Sequence, residues 1–177
     1  MKLSTRARYA LSSMLAISRL ERGNHPVALN RVAENTQISK RYLEQLAIAL
    51  KNASLLRGLS GRGGGYLLAR DPREIRIGEI IEAAIGPVNI VECVLNPDAC
   101  VKSEYCECRL VYSLINRRIT EVLNEFTLAD MADKEWVANV RKELDENSVG
   151  PLNPEILDTP NPPGCTPISN IEDRDSR

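Results

Sequence analysis

The 177 residues suggest one compact domain with an appendage; 43% are hydrophobic and 27% charged, enough for a soluble core, and with aromatics at 4% aliphatic side chains must fill it. No apolar run approaches the ~18 residues of a membrane-spanning helix, and the start MKLSTRARYA lacks the apolar stretch of a secretory signal, so a cytoplasmic protein with reduced or metal-bound cysteines is expected. The net charge of −1 conceals a basic stretch, 1–76, with 14 Lys+Arg against 5 Asp+Glu, and an acidic remainder with 9 against 19, which points to a polyanion-binding module joined to a regulatory or association region.

Ser4 can cap a first helix that runs to about Leu20, with Ala7, Ala10, Leu11, Met14 and Ile17 on one apolar face. Gly23, Asn24 and Pro26 break it. A short helix follows over about Leu29 to Asn35. After the turn Thr36–Gln37–Ile38, Ser39 can cap a helix over about 40–52, in which Leu43, Leu46, Ala47 and Leu50 repeat at helical spacing. Two short helices joined by such a turn match a helix-turn-helix. In LLRGLSGRGGGYLLAR the glycines Gly61, Gly63, Gly64 and Gly65 permit a tight reversal between two apolar runs, predicting a β-hairpin wing. Ile77, Ile80, Ile81 and Ala84 predict a further helix, stopped by Gly86-Pro87.

Residues 88–108 are cysteine-rich and aperiodic and read as a loop. From Leu110, the residues Val111, Leu114, Ile115, Ile119, Val122, Leu123 and Phe126 form a broad apolar stripe that calls for a partner, and a symmetric dimer seam is the natural one. A short helix follows around Leu128 to Leu144. The Pro-rich, acidic end reads as a disordered tail. The expected fold class is mainly α with a small β-wing. The expected organisation is a winged helix-turn-helix DNA-binding domain over 1–86, a cysteine loop over 87–108, a dimerisation helix and short helix over 109–144, and a tail over 145–177.

On the polar face of the predicted recognition helix stand Lys40, Arg41, Glu44, Gln45 and Lys51. Arg grips the guanine edge with two hydrogen bonds, Gln does so for adenine, and Glu accepts from cytosine N4. Lys2, Arg6, Arg8, Arg57 and Arg62 suit phosphates, with Arg62 at the wing tip able to reach the minor groove. The glycine cluster lacks the Gly-Lys-Ser/Thr end of a phosphate loop. Cys93, Cys100, Cys106 and Cys108 lie at C-x6-C-x5-C-x-C spacing, and Cys165 stands alone in the tail. This density points to an iron–sulfur cluster before zinc, whose sites favour paired C-x2–4-C units. A metal-free thiol switch is an alternative, and a cytosolic metal or iron–sulfur carrier is another of a different class. The single histidine, His25, sits in a turn beside Pro26, so no nucleophile–base set can be assembled and no enzyme is expected.

Four blocks in order, MKLSTRARYAL, ISKRYLEQL, GRGGGYLLARDP and IRIGEIIEA, resemble the IscR/NsrR/CymR family of bacterial winged-helix regulators, from Met1 to about Ala132. The likeness is greatest to the IscR-type members, regulators of iron–sulfur cluster assembly. The resemblance implies a cytoplasmic homodimer joined by the helix after the cysteines, a double-stranded DNA operator as partner, and repression that responds to cluster status. No membrane or small-molecule substrate is implied. It implies a 2Fe-2S cluster on Cys93, Cys100 and Cys106, and base contacts from Arg41, Glu44 and Gln45, with Ser60 and Arg62 in the wing. The glutamate matching Glu44 helps such members choose between operator classes. This chain departs from the family's patterns in four ways. Arg8 stands where NsrR-type members have an acid, as it does in IscR-type members. The Cys93–Cys100 interval is one residue longer. Arg109 stands where IscR-type members have a ligating histidine, which makes Cys108 the substitute fourth ligand. Ser60 stands where they have arginine. Cluster loss to iron limitation, oxidants or nitric oxide would be the signal.

Overall fold

The computed structural model describes residues 3–21, 23, 25–61, 63–100 and 105–146. In chain order its elements are α1 (Thr5–Leu20), α2 (Leu29–Thr36), α3 (Lys40–Asn52), β1 (Leu56–Leu59), β2 (Gly65–Leu68), α4 (Ile77–Ile85), α5 (Glu92–Leu95), a 3-10 turn (Pro97–Ala99), α6 (Glu107–Glu125), α7 (Leu128–Ala132) and α8 (Lys134–Glu146). Among the described residues no helix is long and apolar enough to cross a membrane.

Local chemistry sets the ends of the first helices. The Ser4 hydroxyl accepts from the Ala7 N–H at 3.2 Å, and the Ser39 hydroxyl from the Tyr42 N–H at 3.4 Å; each satisfies a donor that a helix start leaves orphaned. The buried faces follow the predicted spacing: Met14 and Ile17 of α1, Val32 of α2, Leu43, Leu46 and Leu50 of α3, and Ile80 and Ile81 of α4 are fully enclosed in one core. Burying each such side chain contributes about 1.5–3 kcal/mol.

The wing is the predicted antiparallel hairpin, with Leu56 opposite Leu68 and Leu59 opposite Gly65. Gly61 takes φ +105°, a conformation open to glycine. The segment before α2 adds a bridge: the Val27 N–H donates to the Tyr66 carbonyl at 2.8 Å and the Tyr66 N–H to that of Val27 at 2.9 Å. A Cβ on Gly65 would stand 2.5 Å from the Val27 oxygen, so only glycine allows this approach. Glu21, at the end of α1, accepts from the Leu68 N–H at 3.0 Å and ties the hairpin to the helices.

The second half differs from expectation in detail. The segment read as a loop contains α5 and the 3-10 turn, each too short to leave a periodic signal. Helix α6 starts at Glu107, so Cys106 is its N-cap residue and Cys108 lies in its first turn rather than in the loop. Two helices follow where one was expected, because the Asp133 carboxylate accepts from the Glu135 N–H at 2.8 Å and restarts the helix. Helix α7 returns to the head: Leu128 is fully buried in its core, and its N–H donates to the Ile75 carbonyl at 2.9 Å. Only part of the α6 stripe finds cover there. Ile119 and Leu123 pack against the core, whereas Leu110 (72%), Val111 (55%) and Leu114 (50%) stand in solvent. The expected tail, 145–177, begins later than the sequence suggests, because α8 continues through Asp145 and Glu146; the rest of it, 147–177 with Cys165, lies outside the described residues.

Candidate nucleic-acid interface and cysteine segment

Helix α3 is held by one face and presents the other. Leu43, Leu46, Ala47 and Leu50 anchor it, and Tyr42 meets Tyr9 of α1 edge-on, 5.6 Å between ring centres. That contact steadies the N-terminal end of the helix. Lys40, Arg41, Glu44 and Gln45 are all exposed, as the sequence predicts. Arg57 on β1 and Ser60 beyond it are also exposed. Lys2 and Arg62 lie outside the described residues.

Two of the expected phosphate contacts are engaged within the fold. Arg6 is half-buried, and its Nε donates to the Ala84 carbonyl at 2.6 Å, placing a cation at the C-terminal end of α4, where the helix dipole favours it. Arg8 is half-buried and donates to the Thr5 hydroxyl at 3.2 Å. Sequence spacing places both near the start of α1 but carries no record of α4, which is why the brace went unseen.

In the cysteine segment, Cys93 and Cys106 are half-buried and Cys100 and Cys108 exposed; all four are free thiols. Among the described residues no three Cys, His, Asp or Glu side chains converge on one point. The structure therefore does not draw the four cysteines together as the sequence reading has them. What it does join is the Cys93 backbone and the first turn of α6, through Arg109. The Arg109 Nε donates to the Cys93 carbonyl at 2.7 Å, and the Arg109 N–H to the Cys106 carbonyl at 3.1 Å. Asn116, a buried polar residue, holds the approach to the segment: its Nδ2 donates to the Val88 carbonyl and its Oδ1 accepts from the Ile90 N–H, both at 3.1 Å. Neither role was anticipated. An asparagine interrupting an apolar stripe is the one signal that could have revealed it.

The family follows from the whole chain. A family model, Rrf2, described as an iron-dependent transcriptional regulator, matches residues 3–134. The chain belongs to the Rrf2 family. Among Rrf2 relatives, the HTH-type transcriptional regulator IscR of Sodalis glossinidius (strain morsitans) is 34% identical over 152 residues, 86% of this chain and 91% of that protein. The regulator CymR of Bacillus subtilis (strain 168) is 36% identical over 132 residues, 75% of this chain and 90% of that one. Of solved structures, CymR, the global cysteine regulator of B. subtilis, superposes with a TM-score of 0.63 at 34% identity, over 75% of this chain and 96% of its own. The T. potens IscR structure matches with a TM-score of 0.60 at 31% identity, over 84% and 91%. Rrf2 proteins of this kind are DNA-binding transcriptional regulators and not enzymes, which bears out the winged-helix and non-enzymatic readings of the sequence.

Proposed function

We propose that this Rrf2 regulator is a cytoplasmic homodimer that reads operator DNA through α3 and the wing, senses iron–sulfur cluster status through its cysteine segment, and represses iron–sulfur cluster assembly genes. In this reading Arg41, Glu44 and Gln45 contact bases, Ser60 and Arg62 contact DNA from the wing, and Lys2, Lys40 and Arg57 meet phosphates. The observation that carries the sensing is the Arg109 side chain, which ties the Cys93 carbonyl to the first turn of α6, the helix whose N-cap position is Cys106.

The donor set fits the cluster. Its members are soft thiols, the ligands that iron–sulfur clusters take. Cys93, Cys100 and Cys106 supply three positions. Arg109 has no lone pair to offer and is already occupied with backbone, so Cys108, one turn-position away, supplies the fourth. A bound 2Fe-2S cluster would supply a centre sensitive to iron supply, oxidants and nitric oxide. The chain's own part is mechanical. Any shift of Cys93 or Cys106 pulls through Arg109 on α5 and the first turn of α6. The exposed stripe of α6 lines an open groove of about 530 Å³ that includes Leu114, Ile115 and Val122, and a second copy seated there would transmit the shift to the spacing of two heads.

Purification without oxygen, a visible spectrum, and iron, sulfide and zinc counts per chain test the proposal. A brown protein with comparable iron and sulfide supports it. A colourless protein with zinc or free thiols alone overturns the cluster and leaves the DNA-binding head. A second reading, a thiol-redox switch on the same head, is favoured by the likeness to Staphylococcus aureus CymR, solved in an oxidized form, and by the four free thiols; it expects no iron, and DNA affinity that changes on reversible oxidation.

A further inference from the structure

We infer that Ile48 reads a thymine: its side chain makes an apolar contact with the C5-methyl group in the major groove, on the same helical face as Arg41, Glu44 and Gln45 and beyond them along α3. The inference rests on the proposed role of α3 as the DNA-reading helix. Ile48 is 61% exposed, more than any other large hydrophobic residue described between positions 3 and 100. Its place on α3 is what gives this exposure meaning. At 100° per residue it points about 20° from Arg41, about 40° from Glu44 and about 60° from Gln45. It therefore sits in the middle of the face that carries the charged and amide groups, opposite Leu43, Leu46 and Leu50. It contributes nothing to the core, and it offers water no hydrogen bond.

Only one base-pair edge rewards such a side chain. In the major groove thymine alone displays a methyl group, and small apolar side chains recognise it by contact. A β-branched residue on a helix has a single strongly preferred rotamer, so Ile48 presents a fixed apolar surface. It lies about 10 Å along the helix axis from Arg41, about three base-pair steps of the duplex. Ile48 thus addresses a base pair distinct from that of Arg41 and adds a thymine to the half-site.

Deoxyuridine tests this directly, because it differs from thymidine at that position only by the methyl group. Duplexes enriched from a random pool by the full chain serve as probes, with each thymine replaced singly by deoxyuridine. One thymine per half-site is expected at which the replacement weakens wild-type binding about fourfold, the worth of one buried methyl group. In Ile48→Ala the same replacement should have no effect, while Ile48→Val retains part of it. An undiminished deoxyuridine effect in Ile48→Ala, or no sensitive thymine in the wild type, overturns the inference. So does a loss in Ile48→Ala that is equal on enriched and random duplexes. Arg41→Ala separates the premise: if its binding to the enriched duplexes matches wild type, the failure belongs to the role of α3 rather than to Ile48.

Discussion

Arg41 stands exposed in the first turn of α3, with its helix anchored by Tyr42 against Tyr9 and by Leu43 in the core. A guanidinium so placed can grip one guanine edge with two hydrogen bonds, and the rigid anchor keeps it in register. Arg41→Ala should weaken operator binding by about 1–3 kcal/mol and leave random-sequence binding almost unchanged, as titrations of both duplexes at one salt concentration would show. An equal loss on both would make Arg41 a phosphate contact. The cysteines pose a question of the same scale. Cys108 is exposed in the first turn of α6, two residues after Cys106 at the N-cap position. If Cys108 is the fourth ligand, Cys108→Ser should shift the visible spectrum of the anaerobic protein and shorten the cluster's life in air. An unaltered spectrum would assign the position to an acidic residue of the segment, Asp98, Glu104 or Glu107, or to the partner subunit.

Elements are held to one another by a few polar fasteners. The junction between α6 and α7 is one. Thr127 and Asp130 cap α7 reciprocally: the Thr127 hydroxyl donates to the Asp130 carboxylate at 2.7 Å, and the Thr127 N–H does so at 2.8 Å. These bonds, the hydroxyl's first, hold the Asp130 carboxyl below the usual carboxylate range; the Arg76 charge adds to them, and burial opposes them without prevailing. A lowered carboxyl stabilises the fold above its unfolded pKa, about 3.9, and loses that contribution as the pH falls through its folded value. The melting temperature of the wild type should therefore fall further between pH 6 and pH 3 than that of Asp130→Asn. Parallel falls would show that the cap carries no proton linkage. Thr127→Ala, which removes the cap itself, should cost about 1 kcal/mol in denaturant unfolding. The consequence reaches the core, because α7 delivers Leu128 into it. Boundaries within this region were hard to read in the sequence for the same reason: α5, the 3-10 turn and α7 are each five residues or fewer, and a turn or so of helix leaves no period to detect.

At the scale of the whole molecule, the chain is a compact head that α6 leaves and α7 rejoins, and α6 is half covered by it. The uncovered side carries Leu110, Val111, Leu114 and Val122 in succession. Such a contiguous apolar strip marks an association surface. If a second copy covers it, Leu114→Glu places a charge in the seam and should convert a dimer into a monomer in sedimentation velocity, with the circular dichroism of the head unchanged. A Leu114→Glu protein that still sediments as a dimer would move the seam elsewhere. Since half-site spacing is set by the distance between two heads, the monomer should also lose operator binding far more than it loses random-sequence binding.

Amino-acid order alone determined the elements whose cause is local. Ser4 and Ser39 start helices by bonding three residues ahead, Leu43, Leu46 and Leu50 turn one face inward by their spacing, and the glycines between β1 and β2 allow the hairpin. Each of these effects acts within one or two turns of the chain, so its pattern survives in one dimension. The family likeness was legible for the same reason, because its blocks lie on those elements. Tertiary structure alone decided the pairings that join distant positions: Arg6 to Ala84, Asn116 to Val88 and Ile90, Arg109 to Cys93, and Leu128 to the head core. A guanidinium, an amide or a leucine is equally at home on many surfaces. Which carbonyl or cavity it meets depends on how the packed elements cross, and that is settled by burial of the core as a whole rather than by any neighbour in sequence.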